Sequence, residues 1–181
     1  MKQALLIIAI LAFCTASHAD ILSGHVVRVI DGDTIVVLDD NNAQHKIRLQ
    51  GIDAPESGQA YGTKSKKHLA DSVAGEIVIV EYDKNDRYGQ VLGKVLLGGE
   101  DMNLEQVKAG LAWHYKKYQG EQTVADRVKY SDAEMEARRH ERGLWGDPAA
   151  VPPRDYRKAR REQKKAMEAF TIRSQARDNP F

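Results

Sequence analysis

Five short runs rich in β-branched residues constrain the fold of this chain more than any other feature of its sequence. They are Leu22–Ile30, Thr34–Leu38, Gln44–Gln50, Glu76–Tyr82 and Val91–Leu97. Asp31-Gly32-Asp33 joins the first two runs, and such a turn between β-branched segments is a strong hairpin signal. In the third run apolar and polar residues alternate, so one face is expected to be buried while Arg48 projects from the other. The first half of the chain is therefore predicted to be β-structure.

A helical segment after the third run and further helices towards the C terminus complete the pattern. These segments are Thr63–Val73, Met102–Leu111 and Arg127–Arg142. Short strands with one inserted helix and terminal helices predict an α+β, mainly β fold, namely a five-stranded OB-fold barrel with flanking helices. Barrels of this type commonly bind oligonucleotides on one face.

Residues 1–19 are predicted to be an export signal. Lys2 precedes the apolar run Ala4–Phe13, and Ser17-His18-Ala19 places small residues where cleavage before Asp20 would occur. A helix of ten residues is only about 15 Å long and cannot span a bilayer; a buried N-terminal core helix is the alternative. The mature protein is expected in the periplasm or outside the cell, as a monomer without a membrane span.

Charge is distributed unevenly along the predicted mature chain. Residues 154–181 carry nine Lys and Arg against four Asp and Glu, whereas residues 20–153 have a net charge of −5. Because Pro152-Pro153 separates them, a domain over 20–153 and a basic C-terminal helix or tail over 154–181 are predicted. A domain with a net negative charge is not typical of a protein that coats DNA, but it is compatible with an enzyme that has a local positive site. The basic tail is read either as a solvated helix or as a segment that attracts nucleic acid.

Carboxylates and one arginine in the first third of the chain predict chemistry on a phosphodiester. Asp33 follows the hairpin glycine, Arg48 lies on the polar face of the third strand, and Asp53 and Glu56 follow that strand. Hydrolysis of a phosphodiester requires a cation, donors to the phosphate oxygens, and a group that orients or deprotonates water. Carboxylates hold a hard cation, an arginine fork holds phosphate, and a further carboxylate can act as the base. Each of these residues alone is common in turns or on the polar faces of strands. Their combined spacing is what indicates a catalytic site.

The order of these residues resembles the signature of the staphylococcal nuclease family. The matching stretches are DGDTIVV and RLQGIDAPE within residues 31–56, DRYG at 86–89, GLAWHYKKY at 110–118 and RGLWGDP at 142–148. The resemblance covers roughly residues 22–153. It implies an OB-fold barrel and a calcium-dependent endonuclease that cuts DNA and RNA on the 5′ side of the phosphate and leaves 3′-phosphate ends.

The resemblance also implies a role for each residue of the first motif. Asp33 and Asp53 would bind Ca²⁺ through their side chains, and Ala54 would bind it through its backbone carbonyl. Glu56 would be the general base or would orient the attacking water. Arg48 would clamp the phosphate.

Residues outside this group are also assigned by the resemblance. Asp31 would not bind the metal itself but would hold the metal-binding residues in place through its carboxylate. Arg87, Tyr88 and Tyr118 match positions that line the nucleotide pocket. The implied partners are therefore a DNA or RNA substrate and calcium.

Position 90 departs from the family pattern, which has a second catalytic arginine where this chain has Gln90. Glutamine donates hydrogen bonds but has no charge, so it is expected to slow the chemistry by orders of magnitude unless another group compensates. Lys94 lies about 13 Å further along an extended strand and is a poor substitute, whereas Arg87 is nearer. The alternative function is a nuclease-fold protein that binds nucleic acid with weak or no catalysis. A secreted OB-fold protein that acts in adhesion or binds oligosaccharides is a third alternative, against which the acidic, metal-binding group of residues argues.

Overall fold

The computed structural model of the protein describes residues 20–86 and 89–178. Within these residues the strands are β1 Asp20–Asp31, β2 Thr34–Leu38, β3 Gln44–Leu49, β4 Ile52–Asp53, β5 Ile77–Asn85, β6 Val91–Leu97, β7 Glu100–Asp101 and β8 Trp113–His114. The α-helices are α1 Gly62–Val73, α2 Met102–Lys108, α3 Val124–Arg139 and α4 Pro153–Asp178. The predicted export signal, Arg87 and Tyr88 lie outside the described residues.

Five of the strands close into a barrel. β3, β2, β1, β5 and β6 are neighbours in that order, and each neighbouring pair is antiparallel. A parallel pairing closes the barrel, in which Ile47 of β3 lies opposite Val91 of β6 and Leu49 lies opposite Gly93. The predicted α+β, mainly β fold with a five-stranded barrel and flanking helices is confirmed.

The alternation of apolar residues along the strands fills the barrel interior. Ile35, Val37, Ile47, Val78 and Val80 are completely buried there. Burying a side chain of this size contributes about 1.5–3 kcal/mol, so these residues stabilise the frame that carries the polar faces of the same strands.

Helix α2 is linked to α3 by a contact between the buried Tyr130 and the half-buried Asp101. The Asp101 carboxylate caps α2 by accepting a hydrogen bond from the Leu104 amide at 3.0 Å. It also accepts hydrogen bonds from the Tyr130 hydroxyl, at 2.8 and 3.0 Å to its two oxygens. Burial raises the pKa of Asp101, although these donors act in the opposite direction. The ionised form of Asp101 is therefore stabilised by the hydrogen bonds that Leu104 and Tyr130 donate.

The Tyr130→Phe substitution is expected to lower the free energy of unfolding by about 1–3 kcal/mol, because the half-buried Asp101 carboxylate loses a hydrogen-bond donor. Urea unfolding followed by circular dichroism measures this change. Tyr115→Phe is the matched control, since the Tyr115 hydroxyl has no hydrogen-bond partner among the described residues. Equal losses in the two variants would contradict the role given to the Tyr130 hydroxyl.

Helix α4 touches the barrel domain through its first turns only. Tyr156 and Arg157 are half-buried, whereas residues 158–173 are exposed. The sequence predicted a basic C-terminal helix or tail over residues 154–181, and the observed helix runs from Pro153 to Asp178. In the part of the chain that the structure describes, no helix has the length and apolar character needed to cross a membrane.

Candidate active site

The tip of the β1–β2 hairpin positions the first carboxylates. Asp33 is only 2% exposed, and its backbone amide donates to the Asp31 carboxylate at 3.1 Å. A Cβ atom on Gly32 would lie 1.8 Å from the Ser65 hydroxyl oxygen, so the hairpin can pack against α1 only with glycine there. The Gln106 side chain of α2 donates to the Gly32 carbonyl at 2.6 Å. Two helices therefore hold the hairpin tip in place.

Arg48 links the hairpin to the segment that follows β3. It lies opposite Thr34 in the β2–β3 pairing, which places it beside Asp33. Its Nη1 atom is 2.9 Å from Asp33 Oδ1, and its Nη2 atom is 2.9 Å from Asp53 Oδ1. The structure thus brings together three of the residues that the sequence placed in one site.

The segment after β3 completes this arrangement. Asp53 belongs to β4, where it pairs with Trp113 of β8, and its side chain is nearly completely buried. The Ala54 amide donates to Asp33 Oδ2 at 2.7 Å, so both oxygens of the Asp33 carboxylate have partners. Glu56 follows Pro55 and is 32% exposed, whereas Asp33 and Asp53 are nearly completely buried.

Negative charge exceeds positive charge in this cluster. Burial raises the pKa of Asp33 to about 8; Asp31 and Asp53 add to the shift, while Arg48 opposes it. The cause is that a carboxylate removed from water is destabilised, and its like-charged neighbours destabilise it further. A divalent cation or a further positive side chain would relieve this imbalance.

Arg157, in the second turn of α4, is a site residue that the sequence did not reveal. Its Nη1 atom donates to Glu56 at 2.7 Å and to Asp53 Oδ1 at 3.1 Å, and its Nη2 atom donates to Asp53 Oδ2 at 3.0 Å. Partial burial alone would lower the pKa of Arg157, but its hydrogen bonds to Asp53 and Glu56 raise the pKa, so the guanidinium stays charged. The only sequence signal for it was the basic character of the C-terminal segment.

Two guanidinium groups therefore meet at a single carboxylate oxygen. Asp53 Oδ1 accepts from Arg48 at 2.9 Å and from Arg157 at 3.1 Å. The planar fork of arginine pairs with phosphate as readily as with carboxylate. A phosphate placed beside Asp53 would lie within reach of both arginines.

Gln90 hydrogen-bonds to Asp86 through both its backbone and its side chain. Its side-chain amide donates to Asp86 Oδ2 at 3.0 Å, and its backbone amide donates to Asp86 Oδ1 at 3.0 Å. Lys94 is also engaged elsewhere, because its ammonium group pairs with Asp126 of α3 at 2.7 Å. Among the described residues, Arg157 of α4 is the second cation near Glu56. The sequence pointed to Arg87 as the nearer alternative, and Arg87 lies outside those residues.

Tyr118 lies in a short 3-10 segment that follows β8. Its ring packs edge-on against Tyr115, with the ring centroids 5.0 Å apart, and it is 44% exposed. The backbone amide of Tyr115 donates to the Gly51 carbonyl at 2.8 Å, which places this segment next to the turn between β3 and β4. The other two predicted pocket residues, Arg87 and Tyr88, lie outside the described residues.

The donor atoms of the cluster suit a hard metal ion. Asp33 and Asp53 are buried carboxylates that face one guanidinium, and Ca²⁺ prefers oxygen ligands of this kind. Across the described residues, however, no group of three or more His, Cys, Asp or Glu side chains is arranged to hold a metal ion. A metal at Asp53 would therefore rely on backbone, water or substrate oxygens for further ligands, and Arg157 would have to give up its contacts with Asp53.

An open groove of about 410 Å³ begins at this cluster. Glu56 lines it from the barrel domain, and α4 contributes the other lining residues, Tyr156, Arg157, Arg160, Arg161 and Lys164. The groove is therefore strongly basic and leads directly to the exposed carboxylate of the site.

Comparison with known proteins gives matches over most of the chain. Residues 46–147 match the family of staphylococcal nuclease homologues. An uncharacterized endonuclease of Escherichia coli is 44% identical over 133 residues, which cover 73% of this chain and 82% of that protein. A micrococcal nuclease of Shigella flexneri is 43% identical, with coverage of 75% and 80%. An uncharacterized endonuclease of Haemophilus influenzae is 36% identical, with coverage of 87% and 84%.

Proposed function

Because this chain belongs to the staphylococcal nuclease family, we propose that it is a calcium-dependent endonuclease that hydrolyses DNA and RNA and leaves 3′-phosphate ends. The observation that carries the proposal is the meeting of Asp33, Asp53 and Glu56 with Arg48 and Arg157 in one cluster. We also propose that residues 1–19 direct export, so that the chain acts in the periplasm or outside the cell.

The two arginines bind and orient the scissile phosphate in this mechanism. Arg48 reaches it from the barrel, and Arg157 reaches it from α4, since both already contact Asp53 Oδ1. Positive groups fixed around the phosphate oxygens stabilise the charge that develops there in the transition state. Arg157 takes the part of the second cation that the family pattern places at position 90.

Glu56 acts on the attacking water. It is more exposed than Asp33 or Asp53, and Arg157 holds one of its oxygens, so the other can accept a hydrogen bond from water or take a proton from it. Asp33, Asp53 and the Ala54 carbonyl would hold calcium, and the Asp31 carboxylate would support Asp33 by accepting a hydrogen bond from the Asp33 backbone amide. Calcium bound there would neutralise phosphate charge and polarise the phosphorus–oxygen bond.

A second candidate function is nucleic-acid binding with weak or no catalysis. The observation in its favour is that Gln90 is turned towards Asp86 and adds no charge to the cluster. In that case the basic groove would retain a polynucleotide without cutting it.

Incubation of the chain from Asp20 onwards with single- and double-stranded DNA in calcium, magnesium or chelator separates the two functions. We expect cutting in calcium that chelator abolishes, and product ends that a polymerase extends only after phosphatase treatment. Asp53→Asn should weaken calcium binding measured by titration calorimetry, because a charged ligand is lost. Asp39→Asn is the matched control, since Asp39 pairs with His45 at the far end of the β2–β3 hairpin. Salt-sensitive binding without any cutting would favour the second function.

A further inference from the structure

Four basic side chains form a row on one face of α4. Arg160 and Arg161 each lie three or four residues from both Arg157 and Lys164, and residues with this spacing share a helix face. With a rise of about 1.5 Å per residue the row is about 10 Å long. It begins at the candidate active site, where Arg157 contacts Asp53 and Glu56, and runs outwards along the groove.

The outer part of this row is available to an anionic ligand. Arg160 and Arg161 make no ion pair with any of the described residues. Lys164 has only a loose contact with Glu168, at 3.8 Å, in which both side chains are largely exposed. Exposed pairs of this kind contribute little, so a phosphate could replace the contact at small cost.

The helix that carries the row is fixed to the barrel domain beside the site. The Tyr156 hydroxyl donates to the Gly58 carbonyl at 2.8 Å, and the Gln59 side chain donates to the Val151 carbonyl just before α4. Both partners belong to the loop that follows Glu56. The basic row therefore keeps a defined position relative to the exposed carboxylate.

We propose that the Arg160, Arg161 and Lys164 face of α4 binds the phosphates of the polynucleotide strand that extends beyond the cleavage site. The inference rests on the proposed function. A strand cut at Glu56 must continue past it, and the groove lined by these side chains leads away from Glu56. Residues 20–153 carry a net charge of −5, so the basic helix supplies the positive surface that a polyanion needs.

The test is the affinity of a fluorescent single-stranded 20-mer, measured by anisotropy in chelator over a series of salt concentrations. The triple variant Arg160→Ala, Arg161→Ala, Lys164→Ala should bind at least about tenfold more weakly at low salt. Its slope of log affinity against log salt should become shallower by about 2, since three phosphate contacts at about 0.7 each are lost.

A second triple variant, Lys158→Ala, Lys165→Ala, Arg173→Ala, removes the same charge from the same helix at positions that do not line the groove. It should lose less than about threefold in affinity and keep the original salt slope. Equal losses in the two variants, or no loss in either, would overturn the proposal. Failure of the unaltered chain to cut DNA in calcium would overturn the proposed function alone, because the affinities are measured without cutting.

Discussion

The Glu56→Gln substitution is expected to lower kcat for cleavage of single-stranded DNA by a factor of about 10²–10⁴, because it removes the group that takes a proton from the attacking water. Glutamine keeps the shape of the side chain and can still accept the hydrogen bond that Arg157 donates at 2.7 Å. The arginines that hold the phosphate are unchanged, so KM should change much less than kcat. Initial rates over a range of substrate concentrations separate the two parameters.

Two measurements keep this prediction specific. Glu105→Gln is the matched control, since Glu105 pairs with Lys108 on α2 and makes none of the contacts of the site. It should leave kcat unchanged. Calcium affinity should also survive in the Glu56 variant, because Asp33, Asp53 and Ala54 remain. A normal kcat in Glu56→Gln would show that water is activated by another group and that the proposed role of Glu56 is wrong.

The part of the site that lies within one continuous stretch of strands could be predicted from the sequence. A hairpin tip places Asp33 next to the strand that carries Arg48, because register follows from strand alternation and from the turn. Only a few residues separate Asp53 from the end of β3, so its side chain stays close to Arg48. These contacts depend on local geometry, and local patterns are what a sequence displays most directly.

Arg157 could not be predicted in this way. It lies 104 residues from Asp53, beyond Pro152-Pro153, on a helix with no strong apolar face. Its position depends on how Tyr156 docks on the Gly58 carbonyl, which is a tertiary contact without a local signature. Charge composition identified the segment as basic, but it did not indicate which of its nine basic residues would enter the site.

The contact of Arg157 with the site, which the sequence did not predict, changes the interpretation of Gln90. From the sequence alone the site lacks one positive charge, so an arginine at position 90 should greatly increase the rate. In the structure Arg157 already contacts Glu56 and Asp53, and Gln90 is held by Asp86. The sequence-based and the structure-based interpretations therefore predict opposite outcomes for the substitutions Gln90→Arg and Arg157→Ala.

The Arg157→Ala substitution is expected to lower kcat by a factor of about 10²–10³, the loss typical for a donor that stabilises transition-state charge. Arg157→Lys should recover only part of the rate, because a lysine places a point charge where arginine offers a planar fork. Lys158→Ala is the control, since it removes a neighbouring charge that is exposed to solvent. Calcium affinity should not fall in Arg157→Ala, because a competing cation leaves Asp53.

Gln90→Arg completes this test as a double-mutant cycle. In the unaltered chain it should change kcat by less than about threefold, because the second cation is already present, whereas in the Arg157→Ala background it should restore at least about tenfold. A compensating charge has to act on the same phosphate, so a strong coupling between two positions 67 residues apart in sequence would place both beside it. If Gln90→Arg instead raised the rate of the unaltered chain by orders of magnitude and Arg157→Ala had no effect, Arg157 would be only a structural ion pair and the site would lack a cation, as the sequence alone indicates.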